Sequence, residues 1–218
     1  MAADIVSLNI GKPITVDYLG KSLSTGIYKQ PVQGPLYLSS VQIDGDGQAD
    51  LVFHGGPDKA VCVYPFEHYA YWEAVLAKKM EYASFGENLT VRGLLEDKVC
   101  IGDVYQIGEA VVQVSQPRYP CFKLSQKHGV KDMPARVLET GYSGFYLRVL
   151  QEGYLSADSR ITQLESHPDQ VSILNILQLL THGRQEAAAL RRMIDLEVLA
   201  ESVRTKFQGW LDKLESSC

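Results

Sequence analysis

Apolar residues recur at every second position through much of the first two-thirds of the chain, in runs too short for helices. Ile14 and Val16 alternate with polar neighbours, as do Leu36 and Leu38, then Val41 and Ile43. Residues 104–107, the pair Gly108-Glu109 and residues 111–114 read as a hairpin, and Phe145, Leu147 and Val149 alternate again before Glu152-Gly153. Many short strands separated by glycine turns predict a β-barrel or a folded, barrel-like sheet. Two helices interrupt it. One starts near Pro65, a residue suited to a first helical turn, and carries Phe66, Tyr69, Trp72, Leu76 and Met80 at helical spacing, with Lys78 and Lys79 complementing its C-terminal dipole. The other covers roughly 134–139, with Asp132 as N-cap and Gly141 as stop.

The period changes near His167-Pro168. Ile173, Ile176, Leu177 and Leu180 share one helical face that ends at His182-Gly183. Residues 187–194 form a second short helix, and Leu196, Leu199, Val203, Phe207, Trp210, Leu211 and Leu214 stripe a third. The expected architecture is mainly β with α: a barrel-like domain over residues 1–167 and a small three-helix domain over 168–218. So small a helical unit buries little by itself, so it is expected to dock, on its own barrel first and on a partner second. Every candidate site residue precedes it. Its removal is therefore expected to lower stability while leaving the site mostly intact.

Composition adds a class and excludes others. With 218 residues, 45% apolar and 22% charged, the chain is an ordinary globular protein. Its net charge of −5 disfavours broad contact with nucleic-acid phosphates or an anionic membrane, yet leaves room for a local basic pocket. Residues 1–10 lack the positive n-region of a signal peptide, and no run reaches the roughly 18 to 20 apolar residues of a membrane span. A soluble, cytoplasmic protein with no nucleic-acid or membrane partner is expected. Cys62, Cys100, Cys121 and Cys218 are widely separated and form no CxxC pair, so they are read as free thiols.

The most informative segment is Gln116-Pro117-Arg118-Tyr119-Pro120-Cys121-Phe122-Lys123-Leu124. Two prolines restrict the backbone around Arg118-Tyr119 and give the thiol a fixed direction. Arg118 and Lys123 put positive charge near a sulfur whose thiolate form is both nucleophile and metal ligand. Packing is the plain alternative, since free cysteine is among the most buried residue types. A second cluster is His54-Gly55-Gly56-Pro57-Asp58-Lys59, where a tight turn bracketed by His54 and Lys59 could hold an anion, or be only a polar turn. A third is Gly86-Glu87-Asn88, whose side chains could meet the edge of a heterocycle, or make an ordinary Asx turn. Asp44-Gly45-Asp46-Gly47-Gln48-Ala49-Asp50 only superficially resembles a calcium loop: the sixth and twelfth positions are Ala49 and Gly55 instead of glycine and glutamate. A dyad of Cys121 with His54 or His68 would suit thiol hydrolysis, with His68 more readily structural. Cys62 and Cys100 sit in apolar runs and read as core.

Taken together, His54-Gly55-Gly56-Pro57-Asp58-Lys59-Ala60-Val61, Gly86-Glu87-Asn88-Leu89-Thr90, Ile101-Gly102-Asp103 and the segment around Pro120-Cys121-Phe122-Lys123-Leu124 resemble, in order, the MOSC family, named after the C-terminal domain of molybdenum-cofactor sulfurases. The three-helix tail resembles the extension of the YiiM type. The resemblance implies a β-barrel that binds the molybdenum cofactor, a molybdopterin, with Cys121 as thiolate ligand of the metal and as the catalytic residue. His54, Gly55, Lys59, Glu87, Asn88 and Arg118 would contact the cofactor. It also implies an oxidoreductase that reduces N-hydroxylated compounds, such as purine base analogues, in detoxification, with a separate electron-donor protein. A non-catalytic carrier of molybdopterin or sulfur through Cys121 is the alternative. Pyridoxal phosphate is not expected, because it belongs to a separate aminotransferase-like domain for which this chain is too short. A homodimer is possible on this reading.

Overall fold

The computed structural model describes residues 3–50 and 55–216. Seven strands close into a barrel: β1 (Ala3–Ile10), β6 (Val61–Pro65), β7 (Leu89–Arg92), β8 (Val104–Ile107), β9 (Ala110–Pro117), β10 (Phe145–Gln151) and β12 (Arg160–Glu165). They run in the order β12-β8-β9-β10-β6-β7-β1, and β1 returns to β12 through Ala3↔Ile161 and Asp4↔Arg160. Closure leaves no open edge in this ring. All these pairs are antiparallel except β6–β7. A parallel pair needs a crossover, and the crossover here carries a short 3-10 turn (Phe66–His68) and helix α1 (Tyr69–Leu76) across the outside of the barrel.

Alternation along the strands sorts side chains to two faces. Val61, Val63, Val112, Val114, Phe145 and Leu147 belong to the main core. Tyr64, on the opposite face of β6, belongs to a second core with Tyr69, Trp72, Met80, Phe85, Leu124, Met133 and Val137, built by the elements wrapped around the barrel. Those elements include α2 (Lys123–His128) and α3 (Met133–Thr140).

Several sequence expectations meet their limits here. The helix near Pro65 stops at Ala77, which takes a left-handed conformation (φ 50°), so Met80 fills the second core from a loop. Helix α3 starts at Met133 and stops at Gly141 as expected, but the Asp132 side chain does not cap it; it accepts from Arg136 Nε at 3.0 Å. Val41 and Ile43 lie in a turn joined to Leu38 by a single bridge, and Val41 is exposed. Ile14 and Val16 do form a strand, β2 (Ile14–Tyr18), but it pairs only with β3 (Lys21–Thr25) in a hairpin outside the barrel; the short strands β4 (Gln30–Pro31), β5 (Leu36–Leu38) and β11 (Gly153–Leu155) also lie outside the closed ring.

The tail comprises α4 (Ile173–His182), α5 (Ala187–Ile194) and α6 (Glu201–Glu215). Ser172 and Asn175 close a capping box at the start of α4, which satisfies two otherwise orphaned N–H groups. Leu196 and Leu199, expected at the start of the third helix, lie in the segment before it and are buried. The secondary structure changes near residue 167, but the hydrophobic core does not. Ile173, Ile176, Leu190, Leu199, Val203 and Phe207 belong to the same apolar cluster as the barrel interior. Backbone bonds stitch the two parts: Ile173 N to Val99 O at 2.9 Å, Leu174 N to Glu96 O at 2.8 Å and Ala200 N to Ser115 O at 3.0 Å. Because the barrel completes its core with tail residues, the expectation that the site outlasts removal of the tail is withdrawn. No helix among the described residues is long and apolar enough to cross a membrane.

Candidate functional site

Outside the barrel wall lies a narrow cleft of about 80 Å³ that opens to solvent. Its floor includes Cys62 and Tyr146 from two neighbouring strands. Tyr146 on β10 pairs with Cys62 on β6 and with Gln116 on β9, so these side chains share the outward face. The β9–β10 register shifts between Tyr146 and Leu147. Such bulges re-aim a strand end and recur next to active sites. Beyond the shift, Arg118 N still donates to Gly144 O at 3.0 Å, after which Tyr119-Pro120 carry the chain off the sheet. Cys121 then lies partly exposed in the cleft wall, its carbonyl accepting from Leu124 N at 3.0 Å as α2 begins.

The opposite wall comes from the base of the β2–β3 hairpin and from the loop before residue 50. Thr25, Gly26, Ile27 and Lys29 line one side, and Gly47, Gln48 and Ala49 the other. The two segments touch at their backbones: a Cβ on Gly26 would sit 2.5 Å from Gly47 O, so only glycine lets them meet.

Four basic side chains line the cleft, namely Lys29, Lys59, Arg118 and Lys123, and among the described lining residues there is no carboxylate. Arg118 is buried; its Nη2 donates to Phe85 O at 2.5 Å, its guanidinium lies beside the Tyr146 phenol, and its Nη1 has no close hydrogen-bond partner among the described residues. Lys59 is partly buried, which pushes its pKa down. Lys29 pairs with the buried carboxylate of Asp46. Asp46 also accepts from Gly11 N at 2.9 Å and from Asn88 Nδ2 at 2.9 Å. The rejected calcium-like loop thus contributes a carboxylate that ties three segments together.

Of the residues expected from the sequence, Cys121, Lys59, Asn88 and Arg118 line this cleft. Asn88 is engaged with the protein: its Oδ1 accepts from Cys62 N at 3.1 Å. Gly55 borders a separate shallow groove with Gly56, Asp58 and Ser202, and Lys59 reaches both. Glu87 does not line the cleft. It is fully buried behind it, where Oε1 accepts from Tyr69 Oη at 2.5 Å and Thr90 Oγ1 at 2.9 Å, and Oε2 accepts from Phe85 N at 2.9 Å. These bonds brace the loop that carries it. His54 lies outside the described residues. His68 is unsuited to a dyad with Cys121: it is buried, its Nε2 is 2.7 Å from Glu96 Oε2, and it does not line the cleft.

Sequence reasoning missed Lys29, Tyr146, the glycine pair and the cleft-facing side of Cys62. Burial pushes the Cys62 thiol up to about 11, so it keeps its proton. Burial likewise holds the Tyr146 phenol well above its ordinary range. Also unforeseen is a clamp of three successive carbonyls. Ala83 O accepts from Lys127 Nζ at 2.5 Å, Ser84 O from His128 Nε2 at 3.0 Å and Phe85 O from Arg118 Nη2. The segment carrying Cys121 is thereby fixed to the loop 83–86.

This clamp has a pH signature. His128 Nδ1 is buried with no hydrogen-bond partner among the described residues, so the neutral ring with its proton on Nε2 fits the site. Burial lowers the His128 pKa to about 4, below its ordinary 6.5. Between those values the unfolded chain binds a proton that the folded chain does not. Stability from this residue is therefore full above pH ~6.5 and is lost as pH falls through about 4. Urea denaturation of wild type and His128→Asn across this window is expected to show a shallower acid decline in the variant; parallel curves would refute the assignment.

The comparisons with known proteins agree over nearly all of the chain. The MOSC domain profile matches residues 50–162, and the profile of the YiiM-like, 3-alpha helix domain matches residues 171–214. The uncharacterized protein YflK of Bacillus subtilis is 49% identical over 96% of this chain and 95% of its own. A protein of Gibberella moniliformis named "Reductase" is 33% identical over 84% of this chain, which matches 32% of that longer protein. The crystal structure of YiiM from Geobacillus stearothermophilus superposes with a TM-score of 0.83 at 41% identity, covering 96% of this chain and 99% of the other. On its two successive profile matches and on the barrel and three helices they correspond to, the chain belongs to the MOSC-domain family, in its YiiM-like branch.

Proposed function

We propose that the cleft holds the molybdenum cofactor, a molybdopterin, and that the protein uses it to reduce N-hydroxylated compounds, purine base analogues among them. The observation that carries this reading is Arg118, whose buried guanidinium has no carboxylate partner among the described residues and lies in a cleft lined by basic side chains and a partly exposed thiol. A buried cation left unpaired is costly, and a phosphate is the group that Arg pairs with most strongly. The phosphate of a pterin cofactor fits the cations, and the soft sulfur of Cys121 fits molybdenum. The name of the fungal relative points to the same reaction class.

When bound, the cofactor supplies the two-electron exchange by which an N–OH group loses its oxygen. The substrate N–O bond breaks, two electrons and two protons are taken up, and an amine and water leave. A separate electron-donor protein is the expected source of the electrons. The chain's own residues bind and orient. Arg118, Lys29, Lys59 and Lys123 hold the anionic part, while Asp46 and Asn88 keep Lys29 in place. Tyr146 keeps its proton and so presents a neutral O–H, not a charge, to the cleft.

The test is turnover. Cofactor-loaded protein given N-hydroxyadenine and a reduced viologen dye is expected to produce adenine. A loaded protein that produces none with any donor is a carrier, and the reductase reading fails.

A further inference from the structure

Tyr119 is a large ring left 45% exposed beside the candidate centre, two residues before Cys121, and it lines the cleft. It is not loosely held. Lys206 of the tail helix α6 places Nζ 5.0 Å from the Tyr119 ring centroid. The same Nζ is 5.4 Å from the ring centroid of Trp210, which carries Arg184 at 5.1 Å on its own ring. On the other side of Cys121, Phe122 is 49% exposed and stacks on Tyr18 of the β2–β3 hairpin at 5.9 Å between centroids. Two half-exposed rings thus flank the thiol, each backed by a different outlying element. Exposing such rings without a partner forgoes favourable burial. Fixing them in advance lowers the entropy lost when something flat lies against them.

We propose that Tyr119 is a specificity-determining residue, the surface on which the planar part of the substrate stacks, and that Lys206 is the positioning residue that holds it. The inference rests on the reductase reading and names what that reading leaves open: the site selects flat, conjugated N-hydroxylated molecules over compact ones without a ring. It also gives the tail a part in the site. The cation lies over the ring, and the same ring lines the cleft. A base-sized ring stacked on an aromatic side chain gains enough to change affinity about tenfold.

The test uses the full-length, cofactor-loaded protein with reduced viologen and two substrates, N-hydroxyadenine and hydroxylamine. Tyr119→Ala is expected to raise KM for N-hydroxyadenine about tenfold, with a much smaller change for hydroxylamine. Tyr119→Phe is expected to keep the wild-type preference, and Lys206→Met to raise KM for the planar substrate alone by an intermediate factor. An unchanged KM for N-hydroxyadenine in Tyr119→Ala, or equal rises for both substrates, would overturn the proposal. Calorimetric binding of N-hydroxyadenine to wild type and Tyr119→Ala separates this question from turnover. If wild type binds the base about tenfold more tightly than the variant, the stacking surface stands even where no reduction is seen. Equal binding removes it.

Discussion

Cys121→Ser is expected to lower the reduction of an N-hydroxylated substrate by at least about a hundredfold while leaving the fold in place. Replacing sulfur by oxygen hardly changes volume, and the thiol is only partly buried. The loss should fall on kcat rather than on KM. A hydroxyl does not replace a soft thiolate at a molybdenum centre, and losing even an outer partner of a metal typically costs ten- to a hundredfold. Circular dichroism and steady-state kinetics on the same preparation check it. Unchanged kcat, or loss of activity accompanied by loss of fold, would refute this assignment.

The second large effect concerns the tail. A chain ending at residue 167 is expected to lose cooperative folding, because its barrel would expose apolar surface now covered by residues such as Ile173, Leu199 and Phe207. It would also leave Ser115 O and Val99 O without their tail donors. With total stabilities of about 5–15 kcal/mol, such a deficit is not survivable. A milder lesion reads the same physics quantitatively: Phe207→Ala, at a fully buried position, should cost about 3–5 kcal/mol. Urea denaturation measures both. A sharp, wild-type-like transition in the truncated chain would mean that the shared core contributes little.

The sequence made the barrel legible where one face of a strand is buried and the other is not. The hairpin at 104–114 and the strand from Phe145 follow directly from period-two alternation. The same signal misled at Ile14 and Val16, since a solvent-side hairpin alternates as well as a barrel strand does. Helix length was overread at Met80 because apolar spacing does not register a left-handed Ala77, a conformation with no local sequence mark.

The site divides in a similar way. Cys121, Arg118, Lys59 and Asn88 were visible because prolines, glycines and charges gather around them in the chain. Lys29 and Tyr146 were not, because each reaches the cleft only through pairings with distant segments: Asp46 for one, Cys62 and Gln116 for the other. Glu87 lies behind the cleft instead of in it, a placement the sequence does not mark because a carboxylate that braces a loop and one that meets a ligand look alike there.

The central claim is that the cleft around Cys121 and Arg118 binds the molybdenum cofactor. Elemental analysis of full-length protein purified from cells with an intact cofactor pathway tests it most directly. The account predicts about one molybdenum per chain in wild type, and far less in Cys121→Ser and Arg118→Met. Wild type that carries no molybdenum, or Cys121→Ser that retains it fully with normal activity, would contradict it.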